Sequence, residues 1–510
     1  MAFIETDQLE RTTGKKLYDY QHDAIEKIFA SLAKNPSNHN LLYQLPTGGG
    51  KTVIFTEIAK RFIESTGKKV VVLTHRIELC NQTSKMLEEF NVRCKIIDSN
   101  VKSLPDEDDF DCFVAMVETL NNRFRDEAIE IDNIGLVIVD EAHYNSFRKM
   151  FKHFTDCTVL GVTATPLSSN INLPMFQNYK ELIVGDSIPS LIEKGFLAKA
   201  TTYCYDVGLG VLKIGANGDY TVKSSELLYG DFPMLEKLLR AYYERSSGKK
   251  TLIFNNGINT SLNVFDTFKK AGLNIRHLDN TNTGEERRDI LKWFKETPDA
   301  ILTSVGILTT GFDEPTVETI ILNRATRSLT LYHQMIGRGS RVLPHKKDFT
   351  VIDLGNNAAR FGPWDSAIDW HEIFRNPDFF LSNIFSDEEI EKKFKYKMPE
   401  DVRAMFKNSE NIDFDVDAAY QESLKKGHKP KVVLDKSIEQ HLKMCIDNSE
   451  DIMDARYLSK FLKDDIAYRI RLYSYNICKS TENYLKWLEE DYFRKLSTKI
   501  NYYYTNVEVE

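Results

Sequence analysis

The run Leu45-Pro46-Thr47-Gly48-Gly49-Gly50-Lys51-Thr52 has the residue types to do chemistry on phosphate. Three consecutive glycines allow a tight loop whose amides converge on phosphate oxygens. Thr47, Gly48, Gly49 and Gly50 would form the cradle. Lys51 would neutralise β- and γ-phosphates, and the Thr52 hydroxyl would coordinate Mg²⁺. A helix starting at Thr52 adds its positive end. The preceding apolar run Leu41-Leu42-Tyr43 reads as a strand, which separates this loop from a chance glycine-rich turn.

A second element of the same chemistry is Val137-Ile138-Val139-Asp140-Glu141, two carboxylates at the tip of a buried strand. Asp140 would hold the water shell of Mg²⁺, and Glu141 would orient or deprotonate an attacking water. A carboxylate serves as that base only when it is not itself a tight metal ligand. His143 is expected to couple this tip by hydrogen bonds to Thr163-Ala164-Thr165; zinc ligation lacks partners at suitable spacing. Upstream, Tyr20-Gln21 offers an amide that both donates and accepts, which suits an adenine edge. Taken alone, Gln21 reads more readily as a capping or surface residue.

The complementary charges come late, in Gln334-Met335-Ile336-Gly337-Arg338-Gly339-Ser340-Arg341. Arg338 and Arg341 are three apart and on a helix would share a side. Two guanidiniums there call for anions, and a triphosphate held by another domain is the obvious one. One arginine can stabilise charge developing in phosphoryl transfer while the other senses the γ-phosphate. Gln334 is counted with them as catalytic. Between Ser304 and Asp313, Gly311 could permit backbone contact with a phosphate, and Asp313 could hold an arginine or a ribose; a plain structural turn fits as well.

Two stretches of alternating strand and helix must position these groups. Leu41–Leu45, Val70–Leu73, Cys94–Ile97, Cys112–Met116, Leu136–Val139 and Thr158–Val162 are short and mostly β-branched, as in a buried parallel sheet. The texture restarts with Thr251–Phe254, Asn274–His277, Ala300–Thr303, Thr319–Leu322 and Thr350–Asp353, with helices over Ser261–Lys270 and Glu285–Lys295. The expected fold class is therefore α/β, two tandem parallel-sheet domains followed by a mainly helical region. The expected division is 1–195 for the first domain, 196–240 for an extended linker or hairpin, 241–360 for the second domain and 361–510 for an accessory region. Thr201–Glu226, with its Asn217-Gly218-Asp219 turn signal, reads as a hairpin or as an exposed linker. In the accessory region Tyr457–Arg471 and Asn483–Lys499 have helical spacing, Ser409–Lys431 reads as partly flexible, and Tyr502-Tyr503-Tyr504 as packing or an exposed contact.

At 510 residues the chain exceeds what one core supports. A formal net charge of -8 argues against coating duplex DNA through bulk positive charge and leaves room for a local basic track. No apolar run reaches the roughly 20 residues of a membrane span. Met1–Glu10 lacks a secretory layout, and the seven cysteines form no CxxC pair. A cytoplasmic location with no membrane partner is the expectation. Asp353, His371 and Glu372 lack the company of a nuclease site and read as domain-junction residues.

In combination these motifs resemble superfamily 2 helicases and translocases, most strongly the DEAH-box DNA-dependent group of XPB-like repair helicases, phage recombination helicases and restriction-enzyme motor subunits. Tyr20-Gln21 is similar to the adenine-reading motif and Leu45–Thr52 to motif I. Thr74–Leu79 resembles motif Ia, Val139–His143 motif II and Gly161–Pro166 motif III. Leu252–Asn255 resembles motif IV, Thr303–Asp313 motif V and Gln334–Arg341 motif VI. Tyr18 departs from the pattern, since relatives often carry arginine there. The resemblance covers about Leu17 to Asp353 and says nothing of 371–510.

What it implies is a two-lobed, RecA-like motor with ATP and Mg²⁺ in the cleft and nucleic acid across both lobes, DNA favoured over RNA. Thr74, Arg76 and Thr119 on the first lobe, and Asn255, Thr309 and Thr310 on the second, would lie near the nucleic-acid backbone. An RNA helicase is the first alternative. The second is a nucleic-acid-gated ATPase switch whose C-terminal region recruits a nuclease, restriction or repair partner.

Overall fold

The computed structural model describes residues 17–35, 38–104, 107–170, 172–205, 207–309, 311–387, 389–390, 398–477 and 482–507. The β-branched runs form two sheets. The first contains β1 (Leu41–Gln44), β2 (Lys69–Thr74), β3 (Cys94–Ile97), β4 (Cys112–Met116), β5 (Ile134–Asp140), β6 (Thr158–Thr163) and β7 (Glu181–Val184), in the order β3-β4-β2-β5-β6-β1-β7. Its pairs are parallel. Strands β1 and β6 are buried along their whole length, as expected where helices cover both faces.

Register explains why the first site elements meet. Val162 on β6 lies opposite Tyr43 of β1 on one side and Asp140 of β5 on the other. The phosphate loop leaving β1 and the carboxylates ending β5 therefore emerge at one carboxyl edge, where ligands bind in sheets of this kind. The helices α1 (Asp19–Lys34), α2 (Lys51–Thr66) and α3 (Ile77–Glu89) belong to this lobe.

The second sheet contains β8 (Lys199–Cys204), β9 (Thr251–Asn255), β10 (Ile275–Leu278), β11 (Ile301–Val305), β12 (Thr319–Asn323) and β13 (Asp348–Asp353), ordered β10-β11-β9-β12-β13-β8. The expected helices appear as Ile258–Lys270 and Gly284–Glu296, the latter closed by a capping box between Thr283 and Glu286. Two strands were not expected. β7 is four residues long, and β8 is half exposed, so neither shows a long apolar run. Thr201–Glu226 accordingly begins as part of β8, makes an antiparallel Ile214–Tyr220 bridge around the Asn217-Gly218 turn, and enters a helix at Val222. Gly218 has φ of 79°, which glycine adopts without strain.

By contact the chain forms one compact unit of Met1–Tyr203, Lys213–Ile352 and Ala367–Asn383, and another of Cys204–Leu212, Asp353–Ser366 and Ile384–Glu510. Both sheets lie in the first, apart from the last residues of β8 and β13. The second has a helical core of its own, built from residues such as Val433, Ile438, Ile466, Ile470, Leu496 and Ile500. Within it, His441 joins Asp465 at 2.8 Å and Tyr492 at 2.9 Å. The stretch Ser409–Lys431, expected to be partly flexible, holds the helix Val416–Lys425, capped by Asp415 and seated through Val416 on that core. The long helical spacing after Tyr457 breaks at Leu462 into Ile452–Phe461 and Lys463–Ile477. Asp353 accepts from Gly355, Asn357 and Ala358, a turn-forming role. Among the described residues the cysteines are free, and no helix is long and apolar enough to cross a membrane.

Candidate functional site

The phosphate loop owes its shape to glycine. Gly48 and Gly50 have φ of 92° and 83°, the left-handed region that side-chain-bearing residues avoid. Gly50 then caps α2, which starts at Lys51. Tyr20 reaches down from α1 and donates its hydroxyl to the Gly49 carbonyl at 2.8 Å. Gln21 is buried beside it; its amide oxygen accepts from the Tyr18 amide at 3.0 Å, closing a capping box. The capping expectation for Gln21 is met, and the same side chain lies against the loop: a Cβ on Gly50 would fall 2.5 Å from Gln21 Nε2. Tyr18 packs on Phe196 with ring centres 4.4 Å apart, giving this end of the site an aromatic wall.

Lys51 is half-buried, and its Nζ donates to the Leu45 carbonyl at 3.3 Å. Burial pulls its pKa down, while Glu141 and Asp140 oppose that shift. Asp140 is pushed up to about 7, first by burial and then by the charge of Glu141. Burial also raises Glu141, but Lys51, His143, His75 and Arg338 outweigh it and hold Glu141 low. The two neighbouring carboxylates are thus pushed in opposite directions. Glu141 has φ of 52°, a conformation costing a non-glycine residue about 1 kcal/mol or more.

Behind it the residues expected to couple the site form a chain of contacts. His143 Nδ1 lies 3.4 Å from Glu141 Oε2 and 3.0 Å from Thr163 Oγ1. Thr163 Oγ1 accepts from the Thr165 amide, and Thr165 Oγ1 donates to Thr330 Oγ1 of the second lobe at 2.8 Å.

Motif VI completes the arrangement in a way the spacing did not foretell. The helix Leu329–Ile336 ends before the arginines, with Gly337 as its C-cap. Arg338 and Arg341 converge through a turn and not through helical periodicity. Arg338 is half-buried, donates to the Phe312 and Thr309 carbonyls, and is lowered to about 10 by desolvation and by Arg341. Arg341 Nη1 donates to the Gly48 carbonyl at 2.7 Å while its Nε donates to Asp313 at 2.8 Å. Asp313 thus holds an arginine in register. A Cβ on Gly337 would lie 2.7 Å from Thr47, which shows how closely the two half-sites approach. Gly311, at φ of 72°, accepts at its carbonyl from Gln82 on α3.

Buried polar atoms without a hydrogen-bond partner gather here: Thr47 Oγ1, Glu141 Oε2, Gln334 Nε2 and Arg338 Nε. Acceptors and donors left in this state inside a protein fit a polar, charged ligand. Among the described residues no group of three or more His, Cys, Asp or Glu could cage a metal. Mg²⁺ is commonly held by one or two protein groups plus substrate phosphates. Thr52, half-buried at the start of α2, and Asp140, buried at the end of β5, are the groups that would hold it.

The expected nucleic-acid residues are less uniform. Arg76 bridges to the second lobe, donating to the Ile307 carbonyl at 3.2 Å. Thr119 is half-buried on the helix Val117–Arg125. Thr74 is buried against Cys80, Asn255 is buried among Thr303, Ser304 and Asn323, and Thr309 hydrogen-bonds the Gly306 carbonyl. These three side chains are engaged by the protein's own groups. Thr310 lies outside the described residues. Sequence reasoning missed Lys346, whose buried ammonium donates to the carbonyls of Gly339, Arg341 and Pro315, and Thr330. Neither belongs to a periodic pattern that could have exposed it.

Comparison with known proteins adds two family matches. Residues 14–168 match the type III restriction enzyme res subunit family, and residues 232–342 the helicase conserved C-terminal domain. IRC3 of Saccharomyces cerevisiae, provisionally named an ATP-dependent helicase, is 31% identical over 66% of this chain and 51% of its own. The type I restriction enzyme EcoAI endonuclease subunit of Escherichia coli is 23% identical over 69% of this chain and 48% of its own. The chain therefore spans about half the length of these curated relatives. Among solved structures, the ATP-dependent type ISP restriction-modification enzyme LlaBIII bound to DNA shares the fold, with a TM-score of 0.52 and 16% identity, covering 95% of this chain and 40% of that one.

Proposed function

We propose that the chain is a superfamily 2 helicase or translocase, on the restriction-enzyme side of that group, and that it hydrolyses ATP between two RecA-like lobes to drive movement on, or remodelling of, DNA. One observation carries the reading. Arg341 of the second lobe hydrogen-bonds the Gly48 carbonyl in the glycine loop of the first at 2.7 Å, which supports a single composite pocket for the hydrolytic groups. A pocket divided between lobes ties its chemistry to their relative motion.

In this reading Lys51 and the loop amides bind the β- and γ-phosphates, and Glu141 accepts a proton from the attacking water. Arg338 and Arg341, with Gln334, face the charge that develops on the transferred phosphoryl group. Mg²⁺, held through Thr52 and Asp140, would supply neutralisation of phosphate charge. The lobes within 1–195 and 241–360 are the working division, and the cytosolic setting belongs to the same proposal. The preference for DNA over RNA draws on the restriction-enzyme relatives.

The test is ATP hydrolysis with single-stranded, duplex, forked and four-way DNA and with matched RNA, followed by strand displacement on the most stimulating substrate. Stimulation by DNA well above RNA supports the proposal; stimulation by RNA alone transfers it to an RNA helicase. The separately cored C-terminal unit favours one further reading, a nucleic-acid-gated switch that recruits a partner protein through that unit. DNA-stimulated hydrolysis with no net movement along DNA, together with ATP-dependent capture of a restriction or repair protein, would select it.

A further inference from the structure

The turn Asn217-Gly218-Asp219 takes no part in the site described above, yet its acid reaches the approach to motif VI. Strand β12 ends at Asn323 and the helix Leu329–Ile336 follows its N-cap Ser328, so 324–328 is the hinge between them. Asp219 grips this hinge at three points. Its Oδ2 accepts from the Thr326 hydroxyl at 2.7 Å, its Oδ1 accepts from the Arg327 amide at 2.8 Å, and Arg324 Nη2 lies 3.4 Å from Oδ2. Thr326 Oγ1 in turn accepts from the Ser328 amide at 3.1 Å, and Ser328 Oγ caps the helix by accepting from Leu331. The hairpin is anchored on its other side. The Asp219 carbonyl accepts from the Gly215 amide at 2.8 Å, Tyr220 is buried, and the Tyr220 carbonyl accepts from Asn256, just past β9, at 3.2 Å. The Arg324 and Asp219 side chains are only 9% and 16% exposed. A guanidinium held that far from water depends on its partner in a way that an exposed pair does not.

We propose that Asp219 is a positioning residue for motif VI: the hairpin 211–221 clasps the hinge after β12 and so fixes where Gln334, Arg338 and Arg341 stand. The inference rests on the composite-pocket reading and deepens it by naming what sets the second half-site. The helix has eight residues and is about 12 Å long, so a tilt of about 5° at its start carries its far end about 1 Å. A displacement of about 1 Å costs a transfer site about 100-fold in rate. Thr330 lies beside the pivot, whereas Arg338 and Arg341 lie past the far end. Loss of the clasp therefore weighs on the arginines more than on the Thr165–Thr330 contact.

The test uses the full chain with the nucleic acid that best stimulates the parent, and measures kcat, the KM for ATP and hydrogen exchange. Thr326→Val removes one grip without stranding a charge. Asp219→Asn keeps an acceptor and withdraws the charge. These two carry the test even where Asp219→Ala does not fold. Each should lower kcat by about ten- to a hundred-fold and leave the KM for ATP within about two-fold, because the phosphate loop is untouched. Both act through one path, so the double variant should lose less than the product of the two single losses. Segment 324–336 should exchange faster while 251–255 keeps the parental rate. Ser246→Ala is the control: it removes a buried 2.7 Å hydrogen bond to Thr319 at the other end of β12 and should leave kcat unchanged. Parental kcat in both Thr326→Val and Asp219→Asn overturns the proposal. So does exchange raised evenly across the second lobe, or the same loss of kcat in Ser246→Ala. A parent that hydrolyses no ATP with any DNA or RNA rejects the motor reading instead, and the exchange of 324–336 then decides whether Asp219 fixes the hinge.

Discussion

Arg341 donates to the carbonyl of Gly48 at 2.7 Å, joining a residue near the end of the second lobe to the loop that opens the first. Two further contacts keep that geometry in place. Asp313 takes the Nε face of the same guanidinium, and the Ser340 carbonyl accepts from the Ala198 amide. An arginine fixed at Nε presents its remaining donors in one direction, which is what a pre-oriented charge in a transfer site requires.

Arg341→Ala should leave binding of a non-hydrolysable ATP analogue within a few-fold of the parent, because Lys51 and the loop amides remain. Turnover should fall by about 100-fold or more. Separate binding and steady-state hydrolysis measurements check it. Parental turnover would remove Arg341 from the hydrolytic site and, with it, the composite-pocket argument.

Lys346 supports the same turn from beneath, its ammonium donating to the carbonyls of Pro315, Gly339 and Arg341. Lys346→Met keeps the length of the stem and leaves three inward-facing carbonyls unpaired. A loss of about 2–4 kcal/mol in urea unfolding is expected, with turnover reduced more than ATP binding. A variant as stable as the parent would show that water takes over those carbonyls and that the lysine is not a clamp.

Much of this site could be read from sequence, for a physical reason. The phosphate loop, the Asp140-Glu141 pair and the Arg338–Arg341 segment each combine rare residue types at fixed spacing, and the strands that carry them are apolar runs. Lys346 and Thr330 gave no such signal, because a single polar residue acquires its role only through the backbone that folds around it. The convergence of Arg338 and Arg341 was expected for the wrong cause: helix spacing suggested it, while the turn after Gly337 produces it. The half-exposed edge strand β8 could not announce itself by an apolar run.

Asp140 makes stability depend on pH. Its carboxyl is raised from 3.8 to about 7 by burial and by Glu141, so the native state binds this proton more tightly than the unfolded chain. Native protein therefore holds more protons between the two values, and stability falls as pH rises through that window, then levels. Asp140→Asn has no such proton to lose. Without nucleotide or Mg²⁺ it should unfold like the parent near pH 4 and be more stable by about 1–3 kcal/mol at pH 8. Urea melts at both pH values decide; a constant difference between the two proteins would mean that Asp140 is not ionising in this range.

The Thr165–Thr330 bond is the one hydrogen bond in the coupling path that crosses between lobes. Thr330→Val preserves shape and removes the hydroxyl. Nucleic-acid-free hydrolysis should stay within about two-fold, since no group proposed to touch ATP is changed, while stimulation by DNA should drop several-fold. Full stimulation in the variant would place the coupling elsewhere, for instance in the contacts of Arg76 to Gly306 and of Gln82 to Gly311.

Gly337 isolates lobe approach from backbone strain. Its φ of -57° is one that alanine adopts freely, so Gly337→Ala carries no conformational penalty of the left-handed kind. The added methyl would nevertheless stand 2.7 Å from Thr47 Cβ and Cγ2, on the opposite lobe. The phosphate loop cannot retreat, because Tyr20 and Gln21 back it from behind. The second lobe must give way instead, carrying Arg341 off Gly48. Thermal stability should therefore change little while turnover falls by about ten-fold or more, and enlarging the deficit with Gly337→Val should follow the same order. Alanine with parental turnover would show that the lobes meet less closely during hydrolysis than the Thr47–Gly337 contact requires.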